Sequence, residues 1–297
     1  MKRLTSAEIA WEAQLACLFE ASIEKPGNVS PRSPFTDMRF EDFLTSAVAI
    51  GPALRDAGRA AVGATIARAA ADTRRLVAVN TNLGLILLLA PLANAAAGMP
   101  AGGGDLRREL AGVLRSLTVR DAVLAYEAIR AAAPAGMGET DRHDVHEREV
   151  GVTLLEAMDA ARERDAIARE YVTDFQLTFT LGAETVLRCW DDGARFSEAV
   201  LTAFLTILAE TPDTLIARKN GVAVAEDVSR RAARVLAAGG TATVAGRAGL
   251  GDLSAELGDQ AHALNPGTTA DLIAASLFVV LTEGGLLGDV PALTARW

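Results

Sequence analysis

Apolar residues recur every three or four positions along nearly the whole chain, while strict alternation is confined to the short, glycine-flanked stretch TATVAG. That period marks amphipathic helices rather than strands. The first run places Ala7, Trp11, Leu15, Leu18, Ser22 and Ile23 on one face, and Thr5 or Ser6 can cap it. Further helices are predicted near 39–57, 59–76, 81–97, 105–117, 119–132, 145–163, 165–187, 195–210, 221–238, 247–263 and 269–287, about twelve in all. The most apolar run, LGLILLLAPLANAAAG at 83–98, is shorter than the ~20 residues of a bilayer span and contains Pro91 and Asn94. It reads as a buried central helix. The clearest loop is 131–144, AAAPAGMGETDRHD. No low-complexity linker and no repeat period accompany it, so the expectation is one compact all-α domain over residues 1–297.

Composition sharpens this picture. Half of the 297 residues are hydrophobic, enough to bury a core without disulfides. Few aromatics and abundant alanine, leucine and arginine suit closely packed helices. A net charge of −9 argues against a nucleic-acid partner and against anionic membranes, but not against a small anionic substrate. Cys17 and Cys189 lie in apolar helical runs, which predicts two buried thiols in a reducing cytoplasm. The N-terminal MKRLTSAEIAWEAQ lacks the apolar core of a signal peptide, so a cytoplasmic location is expected; the oligomeric state stays open, with an oligomer allowed.

Candidate chemistry comes from the rare residues. Lysine occurs only at positions 2, 25 and 219, against 26 arginines. A chain with that bias keeps lysine where a compact ammonium is needed rather than a planar guanidinium. Of six asparagines, five fall in the helix breaks KPGN, VNTNLG, RKNG and LNPGTTAD. In EKPGNVSP, Pro26 disfavours helix at Lys25, and Gly27 permits positive φ; backbone amides at Gly27 or Asn28 beside the ammonium can hold phosphate oxygens. The alternative is a plain helix stop. In VNTNLG, Asn80 or Thr81 can cap the apolar helix, and with Asn82 they exceed what a cap requires. The remaining amides there favour an anion.

In PDTLIARKNG, Asp213 starts a helix that Gly221 ends, with Arg218 and Lys219 in its last turn; they serve either a polyphosphate or the helix dipole. In LNPGTTAD, Pro266-Gly267 makes a turn. Thr268 and Asp271 have capping-box spacing there, with Asn265 and Thr269 nearby. Asp271 satisfies the dipole or stands at the mouth of a site. His143 and His146 with Asp144 and Glu147 read as a solvated charge cluster rather than a metal site, because no third ligand is in view. The glycines of GGTATVAGRAGLG fit a turn, without nucleotide-loop spacing.

Together EASIEKPGNVSP, VNTNLGLILLLAPL, PDTLIARKNG and LNPGTTADLIAASLF resemble the triphosphoribosyl-dephospho-CoA synthase family, in order, over about residues 10–285. The details look closer to an archaeal and methylotroph-like branch. Asn82-Leu83 stands where citrate-lyase and malonate-decarboxylase accessory enzymes more often show His-Lys, and Thr268-Thr269 where they carry Gly-Ser. That departure bears on the acceptor more than on the chemistry.

The resemblance implies an all-helical fold and an enzyme that displaces adenine from ATP, moving the triphosphoribosyl group to the ribose 2′-hydroxyl of dephospho-CoA. Such chemistry builds positive charge on the sugar and needs a carboxylate, cations on the phosphates and, with ATP, Mg²⁺. On this reading Lys25, Arg218 and Lys219 take the phosphates. Asp213 and Asp271 serve Mg²⁺ or general-base catalysis, and Glu20 is a further carboxylate. Gly27, Asn28, Asn80, Thr81, Asn82, Asn265, Gly267, Thr268 and Thr269 complete the nucleotide and acceptor contacts. Branch likeness leaves open phosphoribosyl transfer, from ATP or phosphoribosyl pyrophosphate, to a ribitol-containing pterin precursor. A nucleotide-binding protein without catalysis is the alternative from another class.

Overall fold

The helical period along the chain becomes helix almost throughout. The computed structural model describes residues 4–100, 104–134, 143–147, 150–258, 263–284 and 295–297. Helices α1 (Ser6–Ser22), α2 (Phe40–Ala49), α3 (Gly51–Arg55), α4 (Val62–Leu76), α5 (Leu83–Gly98), α6 (Leu106–Arg115) and α7 (Val119–Ala132) form the first half. The second holds α8 (Leu154–Ala161), α9 (Ala166–Val172), a π-helical segment (Leu177–Ala183), α10 (Glu184–Asp191), α11 (Phe196–Glu210), α12 (Thr214–Asn220), α13 (Val222–Ala237), α14 (Val244–Gly258) and α15 (Gly267–Gly284). Among the described residues no strand forms beyond an isolated Ser30–Ser33 bridge. No single described helix is long and apolar enough to cross a membrane.

Helices α5 and α15 run through the middle and touch each other; α1, α4 and α6 pack on α5, while α1, α11 and the π-helical segment pack on α15. One hydrophobic core joins residues from both sides of the 131–144 loop. Helix α5 continues through Pro91. Proline has no N–H to offer the carbonyl four residues back, that of Leu87. The Tyr171 hydroxyl donates to that carbonyl instead, at 2.6 Å. The one strong breaker in the central helix is thus accommodated by a side chain from α9, so the residue that weakens α5 also pins it to its neighbour.

Several expected boundaries move, each for a local reason. The single helix expected over 39–57 breaks at Ile50, because Pro52 has no N–H for the Val48 carbonyl, which accepts from Gln14 Nε2 at 3.2 Å instead. The helix expected over 145–163 begins only at Leu154, under a Thr153–Glu156 capping box. The helix expected over 165–187 is interrupted by left-handed Asp174 and Phe175. There the Glu170 carboxylate turns the chain by accepting from the amides of Leu177 and Thr178, at 2.9 and 2.8 Å. The helix expected from 247 starts at Val244, because Thr243 accepts from the Gly246 amide at 2.9 Å. The far ends of the helices expected at 247–263 and 269–287, and much of the 131–144 loop, lie outside the described residues.

The first helix is capped by Thr5, with Glu8 returning the bond, but its inward face is not the expected one. Trp11 is 58% exposed, whereas Ala10, Glu12, Ala13, Ala16, Cys17 and Glu20 are buried. Small side chains face inward because α1 lies against α15, α2 and α3, and a tryptophan on that face would hold them apart. Glu12 is tolerated there because the Thr282 hydroxyl donates to it at 2.8 Å; burial pushes its carboxyl up to about 7. Cys17 is buried as expected, while Cys189 is only half-buried.

Replacing Tyr171 by Phe keeps the packing and leaves the Leu87 carbonyl without a donor. Urea denaturation of Tyr171→Phe should show stability lower by about 1–3 kcal/mol. An unchanged midpoint would mean that the carbonyl finds another donor.

Candidate functional site

Four helices begin at one place. The first turns of α5, α9, α12 and α15 supply Gly84, Ile167, Leu215 and Gly267 to the wall of a single cavity of about 780 Å³. The chain makes room for this meeting with missing side chains. A Cβ built on Gly84 would fall on the Asp271 carboxylate and 2.5 Å from Ile167, and one on Gly267 would meet Leu215 at 2.6 Å.

Asp213 ties the arrangement together. Its Oδ1 accepts from the amides of Leu215 and Ile216, at 2.9 and 3.1 Å, which caps α12. Its Oδ2 accepts from the amide and hydroxyl of Thr269, at 2.7 and 2.8 Å, which joins α15 to the same carboxylate. Thr214 then links three helices, donating to Thr268 at 3.2 Å and accepting from the Ala166 amide at 3.4 Å.

Of the residues proposed from sequence, Glu20, Asn28, Asn80, Thr81, Asn82, Arg218, Lys219, Asn265, Gly267, Thr268 and Asp271 line the cavity. Lys25, Gly27, Asp213 and Thr269 stand behind its wall, which corrects their expected direct contact with a ligand. The Lys25 ammonium has a fully buried side chain. It donates to the carbonyls of Glu20 and Ile23, the latter at 2.7 Å, and pairs with Glu20 Oε1 at 3.0 Å. An ammonium has three protons, so these contacts exhaust it. Gly27, at φ +74°, packs against Pro266 and Leu264, where a Cβ would come within 2.9 Å. The KPGN break therefore meets the LNPG turn, and Asn28 donates to Asn265 across them at 2.9 Å.

Asp271 differs from Asp213 in having no hydrogen bond to any described residue while it faces the cavity. It sits in the second turn of α15 rather than at the cap that its spacing from Thr268 suggests, because the helix already starts at Gly267. Its carboxyl is pushed well above the usual range, first by loss of water and then by the negative charges of Glu20, Asp213 and Asp165; Arg218 opposes them. The same surroundings push the Cys17 thiol up, so it stays protonated.

Cations line the same cavity. Arg218 pairs with Asp165 at 2.6 Å, and its buried Nε has no partner. Lys219 is exposed and makes no ion pair among the described residues. The buried Oδ1 of Asn28 also lacks a partner. Asn80 accepts from the Leu83 amide at 3.2 Å, but the amides of Gly84, Leu85 and Thr268 have no partner among the described residues. Free amides at the starts of the long helices α5 and α15 favour an anion.

Several lining residues escape sequence reasoning. Asp165 caps α9 through the Ile167 amide, at 2.8 Å, and holds Arg218. A cap signature was present in RERDA, but nothing local ties it to Arg218, 53 positions away. Arg164 is one arginine among 26, and Ser46 lines the cavity and shares a 2.5 Å hydrogen bond with Thr81, 35 positions away. Gly84 was inside VNTNLG, yet only its neighbour Asp271 explains it. His143 also lines the cavity, while no group of three metal-ligating side chains forms among the described residues.

The family model described as ATP:dephospho-CoA triphosphoribosyl transferase matches residues 6–288. A Klebsiella pneumoniae protein, 2-(5''-triphosphoribosyl)-3'-dephosphocoenzyme-A synthase, is 40% identical over 94 residues, covering 31% of this chain and 32% of that protein. A Pseudomonas aeruginosa protein assigned the same name is 33% identical, over 77% of this chain and 66% of its own length. The matches thus span under two-thirds of these curated relatives. A crystal structure from Archaeoglobus fulgidus, carrying the name triphosphoribosyl-dephospho-CoA synthase, superposes with a TM-score of 0.62 at 28% identity, covering 81% of this chain and 99% of that one.

Replacing Asp213 by Ala strips the cap from α12 and leaves buried donors of Thr269 unpaired. Chemical denaturation of Asp213→Ala should show a loss of roughly 2–4 kcal/mol. A loss under about 0.5 kcal/mol, the size of an ordinary surface substitution, would contradict this anchoring role.

Proposed function

The chain belongs to the ATP:dephospho-CoA triphosphoribosyl transferase family, and we propose that it displaces adenine from ATP and transfers the triphosphoribosyl group to the 2′-hydroxyl of 3′-dephospho-CoA. The observation that carries this reading is the unbonded Asp271 carboxylate in a cavity that helix starts and the cations Arg218 and Lys219 also line.

In the reaction the 2′-oxygen of the acceptor bonds to ribose C1′ as the C1′–N9 bond of ATP breaks. The electron pair leaves with adenine. The hydroxyl proton passes to the Asp271 carboxylate and from there to a ring nitrogen of the departing base, so atoms and charge balance. A carboxyl raised by burial and by Glu20 is a stronger base than an ordinary carboxylate, which suits it to take the hydroxyl proton. Charge growing on the ribose is met by the Glu20 carboxylate, whose position Lys25 sets from behind. Arg218, Lys219 and the free amides of Gly84, Leu85 and Thr268 receive phosphate oxygens.

Mg²⁺ fits here only as part of the nucleotide. Asp213 cannot hold it, since both oxygens are saturated by four hydrogen bonds. Magnesium sites commonly use one or two carboxylates plus substrate phosphates. With Asp271 used for proton transfer, Glu20 is the carboxylate that would hold it, and the ion would neutralise phosphate charge.

Asp271→Asn should lower adenine release from ATP and dephospho-CoA by roughly 10²–10⁴-fold. Thermal unfolding should show stability unchanged or raised, because the amide keeps the shape and replaces a carboxyl that has no hydrogen-bond partner among the described residues. The base form of Asp271 is the active one, so the rate rises with pH through its elevated pKa. Glu20→Gln removes a neighbouring negative charge and should move that limb to lower pH. Product mass identifies the acceptor. Full activity in Asp271→Asn, transfer to a ribitol-containing pterin precursor instead of dephospho-CoA, or tight ATP binding with no turnover would each overturn the corresponding part.

A further inference from the structure

A second, smaller cavity of about 230 Å³ adjoins the main one, with Asn80, Asn82, Leu83 and Ala132 among the residues that line both. We propose that this side slot receives the pantetheine arm of the acceptor; the proposal rests on the transferase reading above and names where the acceptor's tail lies. Single-ligand sites run to roughly 300–1,000 Å³, so the main cavity suits about one nucleotide, whereas the reaction brings together two. The additional space must adjoin the reacting centre, and the slot does so through the wall at the start of α5.

The chemistry of the slot selects among the parts of the two substrates. Its sides are Ala70, Val77, Leu83, Ile86 and Ala131, which are apolar and mostly small. Polar walls come from Thr73, Asn80, Asn82 and Arg74. Thr73 Oγ1 accepts from Asn82 Nδ2 at 3.3 Å and donates to no described residue, so its proton is free for a carbonyl. Arg74 is the single cation among the lining residues. A triphosphate would meet a single cation there, and desolvating its several charges with so little compensation is unfavourable. A slender chain of methyl, methylene and amide groups matches both the walls and the lone hydroxyl. Asn82 then stands at the branch point between the reacting centre and the arm. That position accounts for a buried asparagine that makes no side-chain cap on α5, although it occupies the cap position.

The test compares adenine release supported by dephospho-CoA with that supported by ADP, which carries the same 2′-hydroxyl but no arm. The KM for dephospho-CoA should lie at least about tenfold below that for ADP, a difference of ~1.4 kcal/mol. Ala131 is exposed at the slot. Ala131→Leu should therefore narrow it without disturbing the core and raise the KM for dephospho-CoA about tenfold relative to that for ADP. Thr73→Val, which keeps the shape and removes the hydroxyl, should raise the same ratio about three- to tenfold. Equal KM values for the two acceptors in the wild type, or a ratio unmoved in both variants, would overturn the slot assignment and leave the transferase intact. A rise in the KM for ATP alone would place the donor in the slot and overturn it likewise. Absence of adenine release with either acceptor would sink the transferase reading on which it rests.

Discussion

The site depends on one carboxylate whose bonds are all spent inside the protein. Asp213 holds the start of α12 with one oxygen and the start of α15 with the other. Burying a charge is costly unless its lone pairs are satisfied, and here four donors satisfy them. Because those donors belong to helix starts, the same bonds that stabilise the carboxylate also bring α12 and α15 to one point. Thr214 extends the junction to α9, and the missing side chain of Gly84 lets α5 close on Asp271. The cavity is the space left in front of that junction.

This arrangement separates holding from reacting. Lys25 and Asp213 are ionisable, deeply placed and saturated with partners, so they set positions. Asp271 is half-buried in the cavity wall and lacks such partners among the described residues, and loss of water with neighbouring negative charge raises its carboxyl. Glu20 stands between the two roles, fixed on one oxygen by Lys25 and still part of the cavity wall. The unpartnered Nε of Arg218 and Oδ1 of Asn28 show the same feature at other points of the wall. Buried polar atoms without a partner are uncommon in proteins, and these two belong to residues of the cavity wall.

Legibility varied with the range of the interaction. The helices around α5, α11 and α13 follow from the apolar period, and the caps at Thr5 and Asp213 follow from residue type. The break at Asp174-Phe175 was not legible, because Glu170 bonds to amides that a helical reading assumes are already used. The inward face of α1 was misjudged because size mattered more than hydrophobicity: alanines and Glu12 fit against α15, and Trp11 does not.

From the sequence alone came the helical class, the central apolar helix and the four polar breaks in which rare lysine and asparagine gather. These are local properties, set by side-chain period, by backbone preference and by the scarcity of particular residues. Tertiary structure alone decided which of two aspartates would be saturated and which left open, that Lys25 would serve Glu20 rather than a ligand, and that Asp165 would join Arg218. The reason is physical: a carboxylate's proton affinity and availability depend on which donors and charges surround it, and those come from residues 53 or 56 positions away.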